Sequence, residues 1–170
     1  MPDSGPMNRT RATEAEAFAD APIHPLIAAK LWENPCWFSF RINYLSLRFN
    51  GPVYGRIADR HDLSRPEYLV LYSLTLRDGI AAQDICETAG FPKNTISRAI
   101  HKLVKRKLIR RALDSSDRRS FVLRLTIEAR RILAESVPPM VAHERRMLSE
   151  LTQSEQQTLS KLLAKLVVDS

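Results

Sequence analysis

Residues 92–107, Pro-Lys-Asn-Thr-Ile-Ser-Arg-Ala-Ile-His-Lys-Leu-Val-Lys-Arg-Lys, gather side chains suited to gripping a partner rather than to making or breaking bonds. Asn94, Thr95 and Ser97 are short hydrogen-bonding groups, and Lys93, Arg98, Lys102 and Lys105 are cations, with His101 able to become one. Small donors and acceptors suit base edges, whereas Lys and Arg suit phosphate oxygens. The spacing predicts one helix over 92–107 with two faces. Ile96, Ile100 and Leu103, with Val104 alongside, recur every three or four residues as an apolar stripe, and the polar set falls opposite. Pro92 marks the start, where a missing N–H has no intrahelical partner anyway. Compact polar groups at the N-terminal end with positive charge behind fit a DNA major groove. An ordinary solvated lysine-rich face has the same pattern, and this helix alone does not separate the two.

The next segment of the chain does separate them. Residues 108–113 and 120–125 are predicted strands, joined by a tight polar hairpin at 114–119 with Arg118 and Arg119 at its tip. A hairpin projecting two arginines beside a basic helix is the wing of a winged helix-turn-helix, and arginine suits the strong negative potential of a narrow minor groove. Charge is concentrated there. From Lys93 to Arg124 there are eleven Lys or Arg and two Asp, a net of +9, while the whole chain has 26 basic and 19 acidic residues, a net of +7. The remainder is close to neutral, 15 against 17. This is a local footprint for a polyanion, not general basicity.

The run Ala-Gly-Phe-Pro-Lys-Asn-Thr-Ile-Ser-Arg at 89–98, Lys-Leu-Ile-Arg-Arg at 107–111, and Asp-Ser-Ser-Asp-Arg-Arg-Ser at 114–120 followed by Leu-Arg-Leu-Thr resemble the MarR family of bacterial transcriptional regulators. Leu-Ser-Arg-Pro-Glu-Tyr-Leu-Val-Leu at 63–71 and Leu-Thr-Gln-Ser-Glu at 151–155 extend the resemblance from about residue 35 to the C-terminus. Two positions depart from the family pattern: Ala81 stands where a capping Ser or Thr is usual, and Ala129 where Gly is usual. The resemblance implies a mainly α chain with a small β-hairpin wing (α+β), a winged helix-turn-helix carried on a helical dimerisation lobe. It implies Asp117 as the residue that structures the wing. It also implies a homodimer on an inverted-repeat operator, acting as a repressor and released by phenolic or aromatic carboxylic acids held where the two lobes meet.

The remaining elements position this apparatus. Residues 1–33 form an N-terminal extension, expected to be partly disordered because 1–21 hold too few apolar groups for a core, with a short amphipathic helix around Ile23, Leu26, Ile27, Leu31 and Trp32. Residues 34–60 and 127–170 are assigned to the dimerisation lobe and 61–126 to the DNA-binding lobe. The helix from about 35 is apolar nearly all round, with Phe38, Ile42, Leu45 and Phe49 on one stripe and Trp37, Phe40, Tyr44 and Leu47 on another. One neighbour cannot cover both, so a second copy supplies the other wall. Asn50-Gly51-Pro52 is expected to bend or interrupt it, and Pro138-Pro139 to bend the later helix that opens on Thr126. Ser64 with Glu67, and Thr152 with Glu155, have capping-box spacing. A short helix at 82–88 completes the helix-turn-helix, with Ile85 and Phe91 packing on Ile96 and Ile100. Leu159, Leu162, Leu163, Leu166 and Val167 stripe the last helix.

Arg41 is the expected effector-binding residue, flanked by Trp37 and Tyr44 one turn away: a guanidinium binds a carboxylate bidentately and the rings sandwich an aromatic body. Arg41 extending to water or pairing with a carboxylate of the other subunit is the competing account. A redox-sensing branch of the same family oxidises a cysteine near this point. Cys36 lies about one turn early for that role, and the tyrosine that branch places before the helix proline is Arg65 here. A small hydrophobe is the plainer role for Cys36 and Cys86.

No cofactor or metal is expected, since four scattered histidines and two cysteines fifty residues apart have no ligand spacing. Glycine-rich phosphate loops, clustered carboxylates and nucleophile–histidine pairs are missing from the sequence, which argues against an enzyme. No apolar run could span a bilayer, and a cytoplasmic protein is expected. A nonspecific architectural DNA-binding protein stays open as the rival reading, because it would use the same basic segment without reading bases. The wing assignment generates a test. Arg118→Ala should weaken binding most on sites with an A·T-rich flank beneath the wing, measured by titrating duplexes that differ only there, and equal loss on G·C-rich flanks would contradict a minor-groove contact.

Overall fold

The computed structural model describes residues 23–114 and 120–168, so Asp117, Arg118 and Arg119, and the expected disorder of 1–21, lie outside the described residues. The chain divides into two compact units, Met1–Asn50 and Gly51–Ser170.

In the first unit a short helix α1, Pro25–Ala28, opens on His24, whose Nδ1 accepts the Leu26 N–H at 3.2 Å. It passes into a π-helical stretch, Ala29–Glu33, that buries Leu31. Helix α2, Trp37–His61, begins in this unit and ends in the next. The predicted interruption at 50–52 does not occur. Pro52 lies inside α2, and the chain stays helical beyond it because Val53 and Ile57 are buried in the second unit, which supplies tertiary packing for that turn. Helix α6, Ile127–Met147, is continuous across Pro138 and Pro139. Its predicted cap is present: Thr126 Oγ1 accepts the Ala129 N–H at 3.3 Å.

The second unit is built on helix α3, Arg65–Leu76, which starts in a capping box: the Ser64 N–H donates to Glu67 Oε2 at 2.7 Å. Tyr68, Val70, Leu71 and Leu74 form its buried face. Tyr68 links it to α6 through a 2.9 Å hydrogen bond with Ser136. Since Ser136 donates its single proton to the Ile132 carbonyl at 2.8 Å, Tyr68 is the donor of that pair. Burial pushes the Tyr68 phenol above its ordinary pKa, so it keeps the proton this bond requires.

A strand that the sequence does not signal, β1 (Ile80–Ala81), pairs antiparallel with β3 (Phe121–Leu125), placing Ile80 opposite Leu123; β3 also pairs with β2 (Ile109–Leu113), giving the order β1-β3-β2. Two residues are too few to show an alternating pattern. Gly79, at φ +80°, makes the turn into β1, and a Cβ there would lie 3.1 Å from the Arg124 guanidinium. Helix α4, Ala82–Thr88, starts on Ala81 with no side-chain cap, as its departure from the family pattern predicts. After helix α5, Lys93–Lys105, come the strands and α6. Helix α7, Gln153–Val168, then starts from the predicted Thr152–Glu155 box, in which Thr152 N–H donates to Glu155 Oε2 at 2.7 Å.

Helix α5 ends in a Schellman motif: Leu108 N–H bonds to the Leu103 carbonyl and Lys107 N–H to that of Val104, both at 3.0 Å. Lys107 must then adopt φ +57°, a left-handed conformation that suits glycine. Lys107→Gly should therefore stabilise the fold by about 0.5–1 kcal/mol, after allowing for glycine's greater unfolded-state entropy. Urea unfolding reads this, and an unchanged or lowered midpoint would contradict it.

Candidate nucleic-acid interface

Helix α5 is held by its apolar stripe. Ile96, Ile100 and Leu103 are buried as the spacing predicts, with Ala99 filling the gap between them, against α3 and α4. Val104 is only half-buried. Pro92 stands one residue outside the helix, its carbonyl accepting the Thr95 N–H at 2.9 Å and the Ile96 N–H at 3.3 Å. Ile85 packs beneath as expected, while Phe91 is half-buried under the Arg65 guanidinium, 5.3 Å from its ring centroid.

With that stripe inward, Lys93, Asn94, Ser97, Arg98, His101, Lys102 and Lys105 face outward, and Thr95 is half-buried. Ser97, Arg98, His101, Lys102 and Lys105 line one open, shallow depression. Among the described residues no carboxylate lies within ion-pair distance of Lys93, Arg98 or Lys105. Lys102 differs: its Nζ is 2.9 Å from Glu67 Oε1, and Glu67 is only 3% exposed. Burial alone would push the Glu67 carboxyl up, but hydrogen bonds from Lys102 and from the Ser64 backbone and hydroxyl outweigh it and hold the group below the ordinary carboxylate range. Ser97 lies over Cys86, Oγ to Sγ 3.8 Å. Sequence reasoning missed this Glu67 contact, because nothing in the 35-residue separation of Glu67 and Lys102 announces it.

Arg106, within the same basic run, turns away from this face. It donates to the carbonyl of Asp62 and, at 2.9 Å, to that of His61, fixing the C-terminus of α2 to that of α5. Arg110 and Arg111, not singled out in the sequence, are exposed on β2. Asp78 accepts the Leu125 N–H at 3.3 Å and pairs with Arg124 at 3.5 Å and Arg130 at 3.0 Å, tying β3 to α6. The ladder carries on to Asp114, whose N–H donates to the Ser120 carbonyl at 3.0 Å.

The effector residues expected around Arg41 are partly brought together. The Arg41 guanidinium lies 4.7 Å from the Trp37 ring centroid and 5.8 Å from that of Trp32, and its Nε donates to the Leu31 carbonyl at 3.0 Å. Tyr44 carries Arg48 over its ring instead, at 5.9 Å. Trp32, read in the sequence only as part of the short amphipathic helix, lies on a different helix from Arg41, so no single periodicity relates the two. In the second unit a separate cavity of about 150 Å³ is lined by Val53, Ile57, Pro139 and Met140 with Arg56, Arg60 and Glu135, the last two paired at 3.3 Å. Cys36 is exposed and donates its N–H to Asn34 Oδ1 at 2.8 Å; Cys86 is buried. Among the described residues no three His, Cys, Asp or Glu side chains are grouped to hold a metal, and no helix is long and apolar enough to cross a membrane.

Comparison with known proteins places this geometry. Residues 61–120, the helix-turn-helix and its wing, match the family model described as MarR family. The transcriptional regulator HosA of Escherichia coli O157:H7 is 29% identical over 106 residues, spanning 62% of this chain and 78% of HosA. The fold is similar to that of S. aureus MepR in its complex with DNA, with a TM-score of 0.68 at 19% identity over 78% of this chain and 95% of MepR. It is also similar to that of PcaV from Streptomyces coelicolor in complex with its natural ligand, with a TM-score of 0.61 at 22% identity over 79% and 92% of the two chains. HosA and PcaV are both transcriptional regulators. The family match falls on the helices, turn and β2 strand that present the basic face, so across its helix-turn-helix this chain is similar to the MarR family of transcriptional regulators.

Proposed function

We propose that this protein is a homodimeric, sequence-specific repressor that reads an inverted-repeat operator and releases it when a small aromatic carboxylate or phenol binds. The observation that carries the reading is α5: a helix seated by its apolar stripe, whose outer face joins short polar groups at 94–97 to Arg98 and Lys105, cations with no carboxylate partner among the described residues. Asn94, Thr95, Ser97, Arg98 and His101 read base edges, Lys93 and Lys105 bind phosphate, and Arg118 and Arg119 enter the minor groove, the wing being structured by Asp117. MepR has been seen on DNA with this fold, which supports the same docking here.

Support for the dimer comes from apolar surface that one chain leaves in water. Phe38, Phe40, Ile42, Leu45 and Leu47 on α2, and Leu159, Leu162, Leu163, Leu166 and Val167 on α7, are all exposed. Such runs mark an interface, and a second copy of the same helices covers both by two-fold symmetry. We assign 34–60 and 127–170 to that lobe, 61–126 to DNA, and 1–33 to an extension.

For the effector, PcaV binds its ligand on the same fold. Trp37, Arg41 and Tyr44 are the first candidate site, since a planar guanidinium stacked on indole can still present its outer edge to a carboxylate. The cavity beside Arg56 and Arg60 is the second, favoured by its apolar floor and cationic rim. Oxidation of exposed Cys36 is a rival trigger for the same lobe.

Three measurements test these readings. Arg98→Ala should relax sequence preference at one operator position, costing about 1–3 kcal/mol on the preferred site and much less on random duplex; equal losses on both would favour an architectural protein. Sedimentation at micromolar concentration should show a dimer, and a monomer would overturn the assembly. Arg41→Ala should abolish the response to an aromatic carboxylate with ligand-free DNA binding kept within a few fold. A response that survives Arg41→Ala and is lost in Arg56→Ala moves the site to the cavity, and one lost only in Cys36→Ser under oxidant makes the trigger redox.

A further inference from the structure

We infer that Glu67 withholds Lys102 from DNA: the buried carboxylate ties the recognition helix to α3 and takes one cation out of phosphate binding. This rests on α5 being the DNA-reading helix. Lys102 sits on the same outward face as Arg98 and Lys105, and by charge alone all three would be phosphate contacts. Their surroundings differ. The Lys102 ammonium lies 2.9 Å from Glu67 Oε1, while Oε2 takes the Ser64 N–H at 2.7 Å. Among the described residues Lys102 is the one cation that reaches this carboxylate. Moving the ammonium to a phosphate would strand a charge that water barely touches, and a stranded buried charge is far less favourable than an unmade surface contact. Among the described residues Arg98 and Lys105 have no such partner to give up.

The tie has two effects on recognition. It joins the last turn of α5 to the first turn of α3, so a charge pair as well as apolar packing sets where the helix enters the groove. It also lowers the sequence-independent part of the affinity, since each phosphate contact adds equally on every sequence. Fewer such contacts leave a larger ratio of specific to random binding. Glu67 is thus a positioning residue that touches no DNA, and Lys102 is its partner on the DNA face.

The test uses the full chain with a duplex selected from a random-sequence pool and a random duplex, each titrated across a range of salt concentrations. Glu67→Gln keeps an oxygen to accept the Ser64 N–H but loses the charge. It should tighten random-duplex binding several-fold and steepen the double-logarithmic salt slope by about one unit as Lys102 is released. Lys102→Met should weaken selected-site binding with the salt slope unchanged, whereas Lys105→Ala, the reference, should reduce the slope by about one unit. A slope reduced by about one unit in Lys102→Met, or unchanged in Glu67→Gln, overturns the inference. If Glu67→Gln does not fold, Lys102→Met decides alone. If Lys105→Ala and Arg98→Ala also leave DNA binding untouched, the failure belongs to the assignment of α5 as the DNA-reading helix.

Discussion

The outward face of α5, which we propose reads DNA, depends on three residues buried beneath it. Ile96, Ile100 and Leu103 are all but removed from solvent against α3 and α4, and burying each such side chain is worth about 1.5–3 kcal/mol. Rotating α5 by one residue position, about 100°, would expose that stripe and bury His101 or Lys102, so the apolar seat fixes which side chains look outward. The helix is then trimmed at both ends by backbone chemistry. The Pro92 carbonyl gathers the first free N–H groups, and the Schellman turn at Lys107 closes the last carbonyls and aims the chain into β2.

Around that seat, polar links connect α5 to the elements that surround it. Arg106 holds the end of α2, Glu67 holds the start of α3 to Lys102, Tyr68 and Ser136 join α3 to α6, and Asp78 joins β3 to α6. Each link joins residues distant in sequence, and those of Glu67 and of Tyr68 with Ser136 are shielded from water, so polar contacts as well as apolar packing hold the helix-turn-helix, the strands and α6 in one packed body. Repositioning α5 on a duplex then requires movement of that body as a whole, because packed interfaces of this kind shift between discrete arrangements rather than bending freely.

Much of this was legible in the sequence, for identifiable reasons. The recognition helix, both capping boxes, the Thr126 cap and the two longer strands are encoded by local spacing, and local spacing survives folding. What was not legible is what lies far apart in the chain or is very short. The two-residue β1, the Glu67–Lys102 pair and the Trp32–Arg41 contact have no periodic signature. Prolines carried less weight than expected as helix breakers: α2 runs on through Pro52, since burial of Val53 and Ile57 holds the helical turn beside it, and α6 is continuous across Pro138 and Pro139. Charge marks the basic run without discriminating within it: Lys102, one of the expected DNA contacts, is paired to a buried carboxylate, and Arg106, in the same run, holds a helix end.

The central claim is that two copies of α5 enter successive major grooves on one face of a duplex. Hydroxyl-radical footprinting of the full-length protein on DNA selected from a random-sequence pool tests it most directly. The account predicts two symmetry-related protected patches whose centres lie about one helical turn apart, roughly 34–36 Å, with an inverted repeat beneath them. A single patch, or unbroken protection that ignores sequence, would contradict it.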